Sequence, residues 1–301
     1  MVMKVVRQRC NCLTGGWFYY VLRWWVINPF IGNIMKRPGP ELGDLSSRFF
    51  AYVQLKKKDI VRTGEVSPVL GISESQERDL LRRLSNSGWI VRLKRGVYLV
   101  PPRIPAGGKY SPGVALILQK LMEEQDGKYQ ICGPTAFNFY GLDDQIPSVT
   151  YVYNNRISGS RMIGNLAFQF TRVKDARLGA TNAVRTREGG EIIYSSKART
   201  LVDAVYDWSR FNSLPRGYEW IQQEITQDAN LVSELVEATA QYGNQATVRR
   251  IGYLFDVLAQ PSRIIKRLQR QLSDSKALIP WIPGKPVKGA VNRKWGVIVN
   301  G

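Results

Sequence analysis

The sequence has 301 residues, a formal net charge of +19, and 44% hydrophobic and 22% charged residues, which are ordinary globular values. A chain of this length can bury one large core or two smaller ones. It has no histidine and three cysteines, Cys10, Cys12 and Cys132, which excludes histidine-based catalysis and a disulfide framework and suits a reducing cytoplasm. The positive charge predicts attraction to polyanions but does not bear on the fold.

The charge is concentrated at the two ends of the chain. The net charge is +6 over residues 1–40, +5 over residues 41–103 and +8 over residues 260–301. Residues 104–259 carry equal numbers of basic and acidic side chains and are neutral. A basic run is often only a solvated surface, so the distribution alone leaves nucleic-acid contact open.

The first forty residues differ in composition from the rest. The apolar run Trp17–Ile34 is about long enough to span a membrane, but Arg23, Asn28 and Pro29 interrupt it and no small-residue cleavage site follows. It is a membrane anchor or signal peptide, a disordered or packed extension, or a segment upstream of a true start at Met35. We favour the start at Met35. We therefore expect that residues 1–34 are dispensable, that residues 1–40 lie outside the fold, and that the protein has no membrane partner.

Residues 41–103 predict three helices. The first has its apolar face at Leu45, Phe49, Tyr52 and Val53. The second is a short segment with expected buried positions at Val66, Val69 and Leu70. Pro68 requires that this helix be short or begin near Ser67. The third begins with a capping box of Ser73 and Gln76 and continues with a buried stripe of Leu80, Leu81 and Leu84.

Two short strands follow these helices. They are Trp89–Leu93 and Val97–Val100, preceded by Gly88, which suits a helix end. Pro101 and Pro102 close the unit. Three helices and a hairpin in this order predict a winged helix-turn-helix over residues 41–103, which we expect to be self-contained.

Residues 104–301 predict a second, mixed α/β domain, so that the chain as a whole is α+β. Helical spacing covers Val114–Met122, Thr135–Tyr140 and Lys197–Trp208, the last with its inner face at Ala198, Leu201, Val202, Val205 and Trp208. The segments that alternate like strands are Tyr129–Cys132, Val149–Tyr153, Leu166–Val173 and Glu191–Tyr194. The rest as far as Gln260 is mostly helical, and a basic tail follows.

The outer face of the third helix and the turn of the hairpin could contact DNA. With the three leucines inward, the helix presents Ser75, Gln76, Arg78, Arg82, Arg83 and Asn86. The hairpin adds Arg92, Lys94 and Arg95, with Gly96 in its turn. Arginine, serine and asparagine suit base edges and phosphates in the major groove, and a projecting basic turn suits the backbone or the minor groove. Alternatively, the arginines pair with acidic neighbours on an ordinary helix surface, and the turn is only solvated.

The sequence offers no convincing enzyme site. It lacks a phosphate-binding loop, a dinucleotide fingerprint and any paired-cysteine motif. Asp175 and Glu191 are the best-placed carboxylates for a metal nuclease, but the lysine expected two positions after Glu191 is absent. We therefore expect no catalytic residue, no metal and no cofactor.

Several segments together resemble the AbiEi antitoxins of AbiE-type (type IV) abortive-infection toxin–antitoxin systems. They are LLRRLSNSGWIVRLKRGVYLVPP, ICGPTAFNFYGL, SGSRMIGNLAFQFTRV, YSSKARTLVDA, VRRIGYLFDVLA and KWGVIVN, and the resemblance covers roughly residues 45–301. It implies a winged domain that represses its own operon and a C-terminal domain that counters a toxin of nucleotidyltransferase fold. Two copies of one winged domain would suit operator DNA with inverted repeats.

The resemblance also implies basic partner-contact residues in the C-terminal domain. The candidates are Arg172, Lys174, Lys197, Arg199, Arg249 and Arg250, although Arg199 could instead pair with Asp203 four residues on. At helical spacing in the basic tail, Arg263, Lys266, Arg267 and Arg270 could face an acidic toxin surface. The alternative function is a stand-alone winged-helix transcription factor whose C-terminal domain senses a ligand.

Overall fold

The computed structural model of this chain describes residues 42–187, 190–273 and 277–300. The expectations about the run Trp17–Ile34, the start at Met35, and Cys10 and Cys12 lie outside the described residues. The described chain is α+β, as predicted, with helices and three sheets. None of the helices within those ranges is long and apolar enough to cross a membrane.

Residues 42–103, here called the N-terminal unit, form three helices and a three-stranded antiparallel sheet. The helices are α1 (Asp44–Leu55), α2 (Ser67–Leu70) and α3 (Glu74–Asn86), and the strands are β1 (Ile60–Arg62), β2 (Val91–Lys94) and β3 (Val97–Leu99). The strand order is β1-β3-β2. The buried face of α1 consists of Phe49, Phe50 and Val53. The predicted helices and both predicted strands are therefore present, with an additional strand, β1, between the first two helices.

Helix α2 is short, as Pro68 required, and begins at Ser67. A left-handed glycine, Gly71, ends it, and Arg48 Nη2 donates to the carbonyl of Leu70 at 2.8 Å. Val66 and Leu70 are buried as predicted, but the prediction for Val69 is wrong, because its side chain is 52% exposed. A helix of four residues presents only one side to the core.

A buried carboxylate fixes α2 relative to α3. Ser73 and Gln76 form the predicted capping box, and Leu80, Leu81 and Leu84 are buried. Glu77 lies on the same inner face, is fully buried, and accepts the backbone N–H groups of Gly64 at 3.0 Å and Val66 at 2.9 Å. Two strong hydrogen bonds to a charged acceptor therefore hold the turn before α2 against α3.

A mixed six-stranded sheet, here called the middle sheet, follows with its helices. Its strands are β4 (Tyr129–Ile131), β5 (Val149–Asn154), β6 (Gly159–Ile163), β7 (Leu166–Arg172), β8 (Thr181–Arg185) and β9 (Glu191–Ser195), in the order β6-β7-β5-β4-β9-β8. Helices α4 (Val114–Glu123) and α5 (Gly133–Phe139) accompany them. The sequence predicted four of these strands and missed β6 and β8, which are the two edges. Most of their side chains are exposed, so they lack a clear apolar alternation.

Helices and a small sheet complete the chain. The helices are α6 (Lys197–Tyr206), α7 (Trp208–Phe211), α8 (Arg216–Gln227), α9 (Leu231–Tyr242), α10 (Gln245–Val257) and α11 (Ser262–Gln269). The strands are β10 (Ile279–Pro280), β11 (Ala290–Asn292) and β12 (Val297–Val299). The predicted helix over Lys197–Trp208 ends at Tyr206, and Trp208 is half-buried at the start of α7.

Residues 277–300, here called the C-terminal segment, pack onto the helices through Trp295 and Val297. Trp295 is 1% exposed and lies against Gly252 of α10, where an added β-carbon would come within 2.1 Å of the indole ring. The indole N–H donates to Asp256 Oδ2 at 2.9 Å. Gly252 therefore provides the space that the indole needs.

The N-terminal unit shares its core with the middle sheet. One face of its three-stranded sheet packs on its own helices, while Val91, Leu93, Val97 and Leu99 on the other face are buried with Ile117, Leu118, Leu121 and Phe168. The expectation of a self-contained unit therefore needs correction, although the segment between residues 41 and 103 still has its own helical core. Separation after residue 103 would expose this apolar face to water.

We predict that Trp295→Ala lowers the free energy of unfolding by about 3–5 kcal/mol, because it removes a fully packed aromatic side chain and leaves a cavity. Chemical denaturation of the full chain measures this loss. Lys294→Ala is the control, since Lys294 is an exposed neighbour that pairs with the same Asp256; its effect should stay within about 0.5 kcal/mol. Equal, small losses for both would contradict tight packing of the C-terminal segment.

A second prediction concerns Glu77. Glu77→Leu leaves two backbone donors without their acceptor, and each buried unsatisfied donor costs about 1–3 kcal/mol. The expected result is a lower melting temperature for the full chain. Glu74→Leu, on the exposed first turn of the same helix, is the matched control and should change the melting temperature little. A similar melting temperature for both variants would show that Glu77 does not hold the turn.

Candidate nucleic-acid interface

The outer face of α3 is accessible along its whole length. Side chains at all the predicted positions on this helix are on the exposed side or at its edge: Ser75, Gln76, Arg78, Arg82, Arg83 and Asn86. The side-chain amide oxygen of Gln76 is already used, because it accepts the backbone N–H of Ser73 at 2.8 Å. The other side chains are exposed on this side of the helix.

Two of the arginines on α3 have acidic partners on the same helix. Arg78 lies 3.4 Å from Glu74, and Arg82 lies 2.8 Å from Asp79. All four side chains are more than half exposed, and exposed pairs of this kind contribute about 0–1 kcal/mol. A phosphate or base edge could replace either carboxylate at small cost. Within the described ranges, no carboxylate lies within 4.0 Å of the Arg83 guanidinium.

The hairpin of β2 and β3 separates the three predicted cations into two groups. Arg92 and Arg95 are exposed, and Gly96, with a φ of +76°, forms the turn beside Arg95. Lys94 is half-buried and points toward the middle of the protein, where its Nζ donates to the backbone carbonyl of Glu124 at 2.7 Å. A break in the strand register between Arg92 and Lys94 accompanies this difference.

A further cation, Arg62, lies beside this turn. It is paired across the sheet with Val97, and its guanidinium contacts the carboxylate of Glu124. The neighbouring Thr63 donates its backbone N–H to the carbonyl of Gly96 at 2.9 Å. Arg62 was not predicted from the sequence, because its strand is only three residues long and its proximity to the hairpin arises from strand pairing.

A cavity lies where the N-terminal unit meets the β6–β7 hairpin. Its volume is about 470 Å³, and its lining comes from the end of α3, from β2, from residues 109–111 and from the hairpin. The cations at its wall are Arg92 and Lys109, both exposed. Because both parts of the chain line the cavity, an occupant would contact both.

Three of the predicted partner-contact residues are buried in the fold. Arg199 is fully buried, and its Nε donates to Asp203 Oδ2 at 2.9 Å. This is the pairing with Asp203 that the sequence offered as the alternative to partner contact. Arg249 and Arg250 are about 5% exposed and donate to the carbonyls of Ala277 and Pro280 in the C-terminal segment. The prediction of partner contact is therefore revised for these three residues, because a partner cannot reach them.

The buried carboxylate of Asp203 receives a second arginine. Arg177 Nη2 lies 3.0 Å from Asp203 Oδ1, and the Arg199 guanidinium stacks 3.9 Å from the centre of the Tyr242 ring. Burial raises the pKa of Asp203, against the opposing effect of the two arginines. Burial likewise raises the pKa of the nearby Cys132 thiol well above its usual range, which keeps it protonated and unreactive.

The remaining predicted partner-contact residues are on the surface. They are Arg172, Lys174, Lys197, Arg263, Lys266, Arg267 and Arg270. Lys197 is paired with Glu224 at 2.8 Å, and Arg267 with Glu237 at 3.4 Å. Helix α11 buries Ile265 and Leu268 and turns its basic side chains outward, as the spacing predicted.

Comparisons with known proteins agree with parts of this description. The model of a family described as transcriptional regulator, AbiEi antitoxin, matches residues 51–101. A search of curated proteins finds no match. The crystal structure of the RV2827C protein from Mycobacterium tuberculosis is similar in fold, with a TM-score of 0.54, 13% sequence identity, and coverage of 86% of this chain and 92% of that chain. Residues 51–101 thus match the AbiEi family of antitoxin transcriptional regulators, which confirms over this segment the resemblance that the sequence showed.

Proposed function

We propose that residues 42–103 are a winged helix-turn-helix that binds operator DNA, with α3 in the major groove and the β2–β3 hairpin as the wing. The observation that carries the proposal is the outer face of α3, where exposed arginine, serine and asparagine side chains stand on a capped, well-packed helix. The order of elements and the β1-β3-β2 sheet support the winged arrangement. The family match over residues 51–101 supports a regulatory role.

In this proposal the two basic groups of the N-terminal unit have different roles. Arg78 and Arg82 read bases, since a guanidinium can bond guanine at two positions. Arg92 and Arg95 contact phosphates from the wing and contribute affinity that depends on salt rather than on sequence. The operator would be an inverted repeat bound by two copies of the chain, and binding there would repress the chain's own operon.

The second half of the proposal is that the protein is an antitoxin, which the matched family's description supports. The basic face of α11 is the surface that we propose for contact with a nucleotidyltransferase-like toxin. It carries Lys266, and Arg270 caps its C-terminal end; neither has an acidic partner within 4.0 Å among the described residues, and two buried apolar side chains hold the other face. A toxin that handles nucleotides is expected to bind metal through acidic residues, and a basic helix would complement that surface.

The cavity between the N-terminal unit and the β6–β7 hairpin favours one alternative function, a winged-helix regulator whose second domain senses a small ligand. A ligand of the size of a cofactor fits a volume of this order. The neighbouring gene discriminates between the two functions. A nucleotidyltransferase-like reading frame next to this one favours the antitoxin, and an isolated gene beside metabolic enzymes favours the sensor.

We predict that Arg82→Ala weakens binding to the promoter DNA of the operon by about 1–3 kcal/mol while changing binding to scrambled DNA far less. Arg95→Ala should weaken binding to both DNAs and reduce the salt slope by about 0.9. Titrations of the full chain at several salt concentrations measure both effects. Equal losses on the two DNAs for Arg82→Ala would rule out base reading by that side chain.

For the antitoxin role, we predict that Lys266→Glu with Arg270→Glu reduces the rescue of cells that express the adjacent toxin gene, while promoter binding is unchanged. Lys285→Glu with Lys288→Glu is the matched control, because both lysines are exposed and the charge change is the same. The variants are made in the full chain, since separation after residue 103 would expose the shared apolar face. Equal rescue by the two variants would exclude α11 as the contact surface.

A further inference from the structure

The turn of the wing is surrounded by three cations, here called the tip cluster: Arg62, Lys94 and Arg95. Strand pairing brings them together, because Arg62 and Lys94 are both paired with Val97, and Arg95 follows Lys94 in the turn. In the free protein they are not equivalent. Arg95 is exposed and, within the described residues, has no carboxylate within 4.0 Å, whereas Arg62 and Lys94 both contact Glu124.

Glu124 follows the last residue of α4 and comes from outside the N-terminal unit. Its side chain is 11% exposed. One carboxylate oxygen contacts Arg62 Nη2, and the other lies 3.5 Å from Lys94 Nζ, which also donates to the backbone carbonyl of Glu124. A nearly buried carboxylate that receives two cations has the same charge and hydrogen-bonding capacity that a DNA phosphate would offer them.

Apolar packing, and not only the carboxylate of Glu124, holds the wing in place. Four apolar side chains of β2 and β3, at Val91, Leu93, Val97 and Leu99, already bury that face of the sheet against α4 and the middle sheet. Arg62 keeps 59% of its side chain exposed beside the turn, so a change of rotamer would point it toward solvent. The charge of Glu124 therefore affects mainly whether Arg62 and Lys94 are available to bind a ligand.

We propose that Glu124 is an internal competitor for DNA phosphate, which keeps Arg62 and Lys94 out of the sequence-independent part of DNA binding. The proposal rests on the DNA-binding function proposed above. With two cations held by Glu124, the wing contacts the backbone mainly through Arg92 and Arg95. Non-specific affinity rises with each phosphate contact, so a smaller number of contacts improves the ratio between operator and non-specific binding.

The test is the salt dependence of DNA binding by full-length Glu124→Gln. The substitution keeps the size of the side chain and removes the charge that attracts the two cations, while the backbone carbonyl that accepts from Lys94 Nζ stays in place. It should bind scrambled DNA more tightly than wild type, and its salt slope should steepen by about 0.9 for each cation that gains a phosphate, thus by up to about 1.8. The ratio of promoter to scrambled affinity should fall. A purely structural role for Glu124 would weaken binding and would not steepen the slope.

Glu123→Gln is the matched control, because it makes the same charge change one residue away, at a side chain that is half exposed and paired with Lys120. A triple variant, Glu124→Gln with Arg62→Gln and Lys94→Gln, should lose the gain. A gain that persists in the triple variant, or slopes that are equal for the two single variants, would overturn the inference while leaving DNA binding intact. Absence of any salt-dependent binding by wild type would overturn the proposed function and the inference together.

Discussion

The three-stranded sheet of the N-terminal unit buries apolar side chains on both faces, and much of the rest of the structure follows from that constraint. The helices of the unit cover one face, and α4 and the middle sheet cover the other. Burial of this second face fixes the hairpin relative to the body of the protein. Each Å² of apolar surface removed from water stabilises the folded state by about 25 cal/mol. A hairpin held in this way has a defined position relative to α3. Its cations can therefore differ in role according to the face on which they lie.

Buried arginines hold the other end of the molecule together. Arg249 and Arg250 bind carbonyls of the C-terminal segment, and Arg199 with Arg177 neutralises Asp203 beneath α9. Removing one partner of a buried ion pair leaves an uncompensated charge and costs about 3–5 kcal/mol. Four arginines of the middle region are therefore structural. The basic surface available for a partner is smaller than the net charge suggests.

The local elements could be predicted from the sequence because their signals are local. The capping box at Ser73, the leucine stripe of α3 and the restriction by Pro68 each act over a few residues. The edge strands β6 and β8 were missed, since an edge needs little apolar alternation when few of its side chains are buried. The exposed cations of α3 were also predictable, because a helix with three inward leucines leaves only one side for them. Arg62 was missed since its neighbours on the sheet are distant in sequence.

The sequence by itself determined the α+β class, the helices and hairpin of the N-terminal unit, and the positions of the arginines on the outer face of α3, because hydrophobic period and capping act within one element. Only the tertiary structure decided which cations are available. Lys94 and Arg62 meet Glu124, and Arg177 meets Asp203, while Arg92 and Arg95 remain in solvent. The physical reason is that the availability of a charge depends on burial and on partners from other elements. The charged groups of these pairs are far apart in the sequence, and only the packing of helices and strands brings them together.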